Sequence, residues 1–306
     1  MRMVKDHFLR HIFLYRCRLV VVLLIAVILC GRHEARSAEV LVVGDTRLKP
    51  VVEVIAGIKE VLEMQVAVYA PSEMKAEKLA SIVRNEGTRT VIALGQESIS
   101  EAIQLPTSVT VLYALVILPP HINRPNTAGM YMGTPIKEYL KIVDSYLPAL
   151  KRICVIASPE VLELLDKSNQ PHLTAYRARN AYDFVDTIKG LDSSADALLL
   201  LPDISLLTKT AIEESYLFSF RKKVPLLGIS KKHVRQGALF ALEFDPRQVG
   251  RRLGQMAAAT LHGQSIAHNQ ALPSQHFNLY INQETAKKMG ITIPAEMIAH
   301  AKYVYP

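Results

Sequence analysis

The chain has 306 residues, half of them hydrophobic, which is enough for two ordinary domains with sizeable cores. Gly and Pro are ordinary in number, at 14 and 16, and there is no low-complexity tract, which excludes a disordered or fibrous chain. The net charge of +8 does not describe a nucleic-acid-binding surface: residues 1–37 hold seven Lys or Arg and two acids, a net +5, leaving +3 for the rest.

The first 37 residues read as an export signal. A basic segment ends at Arg18, and the run LVVVLLIAVILC, Leu19 to Cys30, is 12 residues long and uncharged. A spanning helix needs about 20 apolar residues, so this run fits the apolar centre of a signal peptide instead. Ala35 and Ser37 suit a cleavage site before Ala38, which predicts a periplasmic protein. The long basic segment leaves an uncleaved membrane anchor open. Cys30 leaves a lipoprotein open, although Leu29 before it is larger than a lipid-attachment box uses. Cys17 and Cys30 fall in this segment. Cys154 is then alone in the mature chain, within RICVIAS, so no internal disulfide is expected and the residue reads as a core thiol.

From Ala38 the chain alternates strand and helix. EVLVVGD (39–45) predicts a strand, and Val51, Val54, Ile55, Ile58 and Leu62 give 51–63 a helical spacing. A strand over 64–70, a helix over 74–87 stopped by Gly87, a strand over 90–95, a helix starting near Ser98 and a strand over 108–118 follow. The rhythm restarts with strand 127–133 and helix 135–147, whose Pro135 suits a first turn. Strands over 152–158, 172–178, 197–203 and 224–230 then alternate with helices over 159–167, 181–190 and 206–222, the last ending in a dipole-complementing Arg221–Lys223 cluster. Strand 237–246 and helix 247–263 come next. The small residues Gly250, Gly254, Ala257 and Ala258 of that helix permit close backbone packing. The closing stretch LYINQETAKKMGITIP (279–294) reads as a short strand, a turn of helix, a Gly stop and a Pro.

This alternation predicts an α/β fold with two Rossmann-like lobes, each a mostly parallel sheet with helices on both faces and continuous Val/Ile/Leu strands. The expected division is 38–122 plus 238–266 for the N-terminal lobe and 123–237 plus 267–306 for the C-terminal lobe. The final pieces are too small to be a domain and complete the two existing sheets.

Several motifs carry a family resemblance. LYINQETAKKMGITIP, through Asn282, Ala286, Gly290 and Pro294, resembles the closing signature of ABC-transporter substrate-binding proteins in the tryptophan- and tyrosine-uptake branch. VRQGALFALEFDPRQVGRRLGQMAAATLHG (234–263) and YLPALKRICVI (146–156) are similar to further blocks of that family, as are the shorter VIALGQES and NTAGMYMG. The resemblance spans about residues 39–306. It implies a type I periplasmic-binding-protein fold: two lobes joined by three crossings, with a ligand cleft between them. It also implies an amino-acid-like ligand and delivery to an ABC permease in the inner membrane. The chain departs from the family pattern at Pro119-Pro120, at Gly95-Gln96 and in the short helix after RICVIAS.

In open α/β sheets ligands bind outside the carboxyl ends of the strands, and a two-lobed version closes on them by a hinge. That rule selects Asp45, Gln96 and Ser98 in the first lobe and Thr134, Ser158, Asp203, Ser205 and Ser230 in the second. Ser98 at a helix start suits a carboxylate, and Asp45 or Asp203 an amino group. Ser98, Ser158 and Ser205 equally suit helix caps, as does Asp245 before Pro246. Tyr113, Tyr131 and Tyr176 sit in strands, where they stack on a ligand ring or pack in a core.

No catalytic residue, cofactor or metal is expected. G-x-x-x-x-G-K-[ST], G-x-G-x-x-G after a strand, H-E-x-x-H, C-x-x-C and G-x-S-x-G are all missing, and His262, His268 and His276 lack metal-ligand spacing. The expectation is a monomeric solute-binding component of an ABC importer that contacts no nucleic acid. A sensory binding protein of the same fold, acting with a membrane kinase, is the alternative; an exported α/β enzyme is a third reading. A sugar-responsive repressor would need a helix-turn-helix where the export signal lies.

Overall fold

The computed structural model describes residues 39–133, 135–163, 172–191, 195–266 and 270–306. Residues 1–38, which include the expected export signal, Thr134, His268 and the end of the expected 159–167 helix lie outside the described residues. The first series is β1 (Val40–Val43), α1 (Lys49–Val61), β2 (Val66–Tyr69), α2 (Ala76–Glu86), β3 (Thr90–Leu94), α3 (Gln96–Ala102), β4 (Thr110–Val116) and β5 (Thr127–Tyr131). The second is α4 (Ile136–Tyr146), β6 (Ile153–Ala157), α5 (Pro159–Glu163), β7 (Leu173–Arg177), α6 (Ala181–Gly190), β8 (Ala197–Leu199), α7 (Lys209–Lys222), β9 (Leu226–Gly228), α8 (Lys231–Arg235) and β10 (Phe240–Phe244). The chain closes with α9 (Pro246–Leu261), β11 (Gln270–Pro273), β12 (Phe277–Asn282), α10 (Gln283–Met289), α11 (Ala295–His300) and β13 (Ala301–Tyr305).

These elements form two open sheets. One has the order β11-β5-β4-β3-β1-β2 and is wholly parallel. The other has the order β13-β12-β10-β9-β8-β6-β7 and is parallel except where β12 runs against β10. β1, β3 and β6 are buried at every position, which is why they read as unbroken apolar runs rather than alternating ones. Cys154 is a reduced thiol packed in β6. Arg221 and Lys222 occupy the last turn of α7, beside the free carbonyls there.

Sheet membership differs from the expected lobe division at three strands. Residues 127–131 do not open the second sheet; β5 pairs with β4 and extends the first. Residues 240–244 do not return to the first sheet; β10 continues the second, parallel to β9. Residues 270–273 do not belong to the second; β11 pairs with β5. β5 and β10 follow the preference of consecutive strands to pair, whereas β11 joins the distant β5 and covers the edge that β5 would otherwise expose. The chain thus passes between the sheets three times, between β5 and α4, between β10 and α9, and between β11 and β12. The closing stretch is also longer than its signature. Asn282 caps α10 through a bond from Thr285 N–H (2.7 Å), and Gly290 stops it with φ of 72°, which a side chain would strain. α11 and β13 then add one more βα turn, and β13 forms the edge of the second sheet.

The returning helix α9 is held to the first lobe by α1. Asp245 caps it, accepting from Arg247 N–H at 2.9 Å and Gln248 N–H at 3.2 Å. Its apolar face, with Val249, Leu253 and Ala257, buries into the core of β1, β3 and β4. The two helix backbones touch. A Cβ on Gly250 would lie 2.0 Å from the Val54 carbonyl oxygen, and one on Gly57 would lie 2.1 Å from the Arg247 carbonyl oxygen. Glu60 on α1 is paired with both Arg247 and Arg251 on α9, and their hydrogen bonds hold its carboxyl below its ordinary pKa. We expect Gly250→Ala to destabilise the protein by about 3 kcal/mol, because backbone cannot move aside as a side chain does. Gly190→Ala, with open space around it, should stay within about 0.5 kcal/mol. Urea unfolding of the two variants checks this.

Candidate functional site

Both sheets have a topological switch point, where crossover helices leave to opposite faces and the carboxyl-end loops splay apart. In the first sheet it lies between β1 and β3, and in the second between β6 and β8. The loops there are 44–48 and 95–97 in one lobe and 157–159 and 200–205 in the other. The carboxyl ends of the two sheets also approach each other. A Cβ on Gly133, after β5, would lie 3.4 Å from the Pro202 side chain after β8, and Leu118, after β4, packs on the second lobe's core.

At the second switch point the structure brings three of the expected residues together. Asp203 is 4% exposed. One carboxylate oxygen accepts from Ser158 N–H (2.9 Å), the other from Ser205 N–H (3.1 Å) and the Ser205 hydroxyl (2.6 Å). Burial pushes its pKa up, but these hydrogen bonds outweigh it and hold the carboxyl below its ordinary range. Asp203 is therefore an ionised clasp that joins the β6 and β8 loops. Ser158 is buried, and its hydroxyl oxygen accepts from Val161 N–H as the cap of α5 (3.4 Å). Ser205 remains exposed at the surface.

The neighbouring loop after β9 is set by His233. Ser230 caps α8 by accepting from His233 N–H (3.4 Å), and His233 Nδ1 accepts from Ile229 N–H (3.2 Å). The ring is 7% exposed and sits against Gly228, leaving no room for a Cβ there. Burial, helped by the charge on Lys232, lowers its pKa from 6.5 to about 4. The imidazole is thus neutral, with Nδ1 free of a proton, as the bond from Ile229 requires.

In the first lobe, Asp45 is committed to Arg47: its two oxygens accept from the Arg47 backbone N–H (3.0 Å), Nε (2.8 Å) and Nη2 (2.8 Å). Gln96 is exposed at the start of α3. Ser98 is not at a free helix end. It is wholly buried, and its hydroxyl donates to the Leu94 carbonyl (3.0 Å). Thr134 is outside the described residues. Of the tyrosines, Tyr113 is core: it is 2% exposed and its ring fills the space that only Gly129 leaves open. Sequence reasoning by polar type missed the apolar members of these loops. Leu48, Ile117 and Ile204 are exposed in loops after strands, and Tyr182 is exposed in the first turn of α6; Ile204 is 80% and Tyr182 84% exposed. Their signal was a large apolar residue just beyond a strand end, where a cap or turn would suffice.

Two outcomes follow. Asp203→Ala should cost about 2 kcal/mol by orphaning the buried Ser158 N–H and removing the acceptor of the Ser205 N–H and hydroxyl. Its folded pKa lies below the unfolded one, so its stabilisation is present above about pH 4 and lost as pH falls through the folded value. His233 also has a folded pKa below its unfolded 6.5, so its contribution is complete above pH 6.5 and is lost as pH falls toward 4. The melting temperature should therefore fall from pH 7 to pH 4.5 in the wild type and less steeply in His233→Gln.

Comparison with known proteins agrees with this architecture. The family model described as ABC transporter substrate binding protein matches residues 38–305. An uncharacterized protein of Rickettsia prowazekii (strain Madrid E) is 24% identical over 303 residues, covering 93% of this chain and 94% of that one. Among solved structures, the ligand-free, open form of CD0873, a substrate binding protein with adhesive properties from Clostridium difficile, superimposes with a TM-score of 0.66 at 15% identity. It covers 87% of this chain and 98% of that one. The ABC domain in complex with L-Trp from Streptococcus pneumonia gives a TM-score of 0.54 at 17% identity, covering 87% and 99%. With two mostly parallel sheets, three passages between them and a family match over nearly the whole described chain, this protein belongs to the ABC transporter substrate binding protein family.

Proposed function

We propose that the protein is the periplasmic solute-binding component of an ABC importer. It takes a small, amino-acid-like organic ligand between its lobes, closes by a hinge and delivers the ligand to an inner-membrane permease. The observation that carries this reading is the meeting of the two sheets' carboxyl ends where Gly133 approaches Pro202, with a switch point in each sheet. The reading is supported by the similarly folded ABC domain from Streptococcus pneumonia, whose structure is in complex with L-Trp. The chain acts as a monomer without catalysis, metal or cofactor, and residues 1–37 direct its export.

In this reading the expected residues divide by accessibility. Asp45 with Arg47, Gln96, Ser205 and Ser230 reach the ligand, together with Thr134. Ser98, Ser158 and Asp203 hold the loops from within. A carboxylate on the ligand competes for Arg47 and an amino group for Asp45, so binding opens that exposed pair. Leu48, Tyr182 and Ile204 supply apolar area for the ligand body.

The test is a thermal-shift screen of the purified protein against amino acids, small carboxylates, nucleosides and sugars. A ligand present at about 100 times its dissociation constant should add roughly 2.7 kcal/mol. A shift with amino acids that falls in Arg47→Gln and Ser205→Ala is the expected result. A folded protein that responds to none of the four classes overturns the importer reading.

A further inference from the structure

A second concavity lies away from the switch points, between α9 and the β5–β11 strand pair. Two cavities adjoin there, of about 120 and 250 Å³, and both are lined by Arg252, Gln255 and Leu272. They differ in chemistry. The smaller is about evenly polar and apolar, with Gln248, Arg251, Gln275 and His276 beside Arg252 and with Met130, Val249 and Pro273 also in its wall. The larger is mostly apolar, with Ala128, Met256, Ala259 and Ile266 beside Leu272. Among the described residues no Asp or Glu lines either one. Arg251 has its counter-charge in Glu60; Arg252 is exposed and, among the described residues, forms no ion pair, while its side chain bonds Gln255 Oε1 at 3.4 Å.

We propose that this groove is a separate binding site for an anionic amphiphile, with a carboxylate or phosphate head at Arg252 in the smaller cavity and an aliphatic tail over Leu272 and Met256 in the larger. The unmatched guanidinium is a fork suited to two anionic oxygens. The apolar cavity beside it gains from covering hydrocarbon and offers an uncharged polar ligand little. Its polar end includes Gln275 and His276, which lie in the passage from β11 to β12, so an occupant touches one of the segments that join the lobes. The site stands or falls independently of the ligand taken between the lobes.

The experiment measures the melting temperature of the purified protein with decanoate below its micelle concentration, with decanol, and with decyltrimethylammonium. Decanoate alone should raise it. Decanoate affinity should fall about tenfold or more in Arg252→Gln, the loss of one charge-assisted contact, and be unchanged in Arg47→Gln. An equal response to decanol, an unaltered response in Arg252→Gln, or loss in Arg47→Gln instead overturns the proposal. Co-sedimentation with phosphatidylglycerol vesicles separates the sources. Binding that Arg252→Gln abolishes makes the head a lipid phosphate, and a response to free decanoate without co-sedimentation makes it a free acid. A folded protein that responds to neither disproves the site.

Discussion

The contact on which the rest depends is the backbone-to-backbone crossing of α1 and α9. One helix follows the first strand of the chain and the other comes almost two hundred residues later, yet Gly57 and Gly250 let each lie directly on the other's carbonyl groups. No side chain separates them, so the crossing has a single register. Glu60, bridging to Arg247 and Arg251, sits beside the glycines and selects the same register by charge. Everything after residue 245 takes its place from this anchor. β11 is led along the first sheet, and the chain then returns to lay β12 against β10.

Two lobes joined in this way share three connecting segments instead of one linker. A single flexible linker would leave the lobes free to adopt many orientations, whereas three short passages confine them to bending about one line. The loops at the strand ends are stiffened from beneath. Asp203 ties the β6 and β8 loops together, and His233 holds the loop after β9 by accepting an N–H that would otherwise be orphaned. These buried acceptors lie beneath the outer residues of the second lobe, Ser205 among them, so the loops that carry them are ordered in the unliganded protein.

Most of the strand–helix succession was legible because buried parallel strands are written as runs of Val, Ile and Leu, and the helices between them repeat every three to four residues. Val40–Val43 and Leu112 leave little choice. Which sheet a strand joins was not legible, since TAGMY of β5 and FALEF of β10 mark a strand but not its partner, and the passage between sheets is set by contacts between distant residues. β11 and β13 were missed for a different reason. Both are edge strands, half covered, and their sequences QALP and AKYVY lack a continuous apolar run. The strand-end rule selects loops by position alone, and it could not tell an inward serine from an outward one. Ser98 and Ser205 have the same chemistry; only the helical geometry that turns Ser98 onto the Leu94 carbonyl separates them.

The position of α9 and β11 in the chain has a consequence for how the protein is made. The first five strands emerge from the ribosome early, but the sheet they form lacks one covering helix and one edge until residues 246–273 have been synthesised. Val54, Ile58 and Leu112, all buried in the finished protein, have no Val249 or Leu253 to meet before then. Neither lobe completes its core early: the first waits for residues 246–273, and the second waits longer still, for Leu279, Ile281 and Met297. For most of the time on the ribosome the chain stays short of a native sheet, a state open to holding factors and to transfer through a narrow channel.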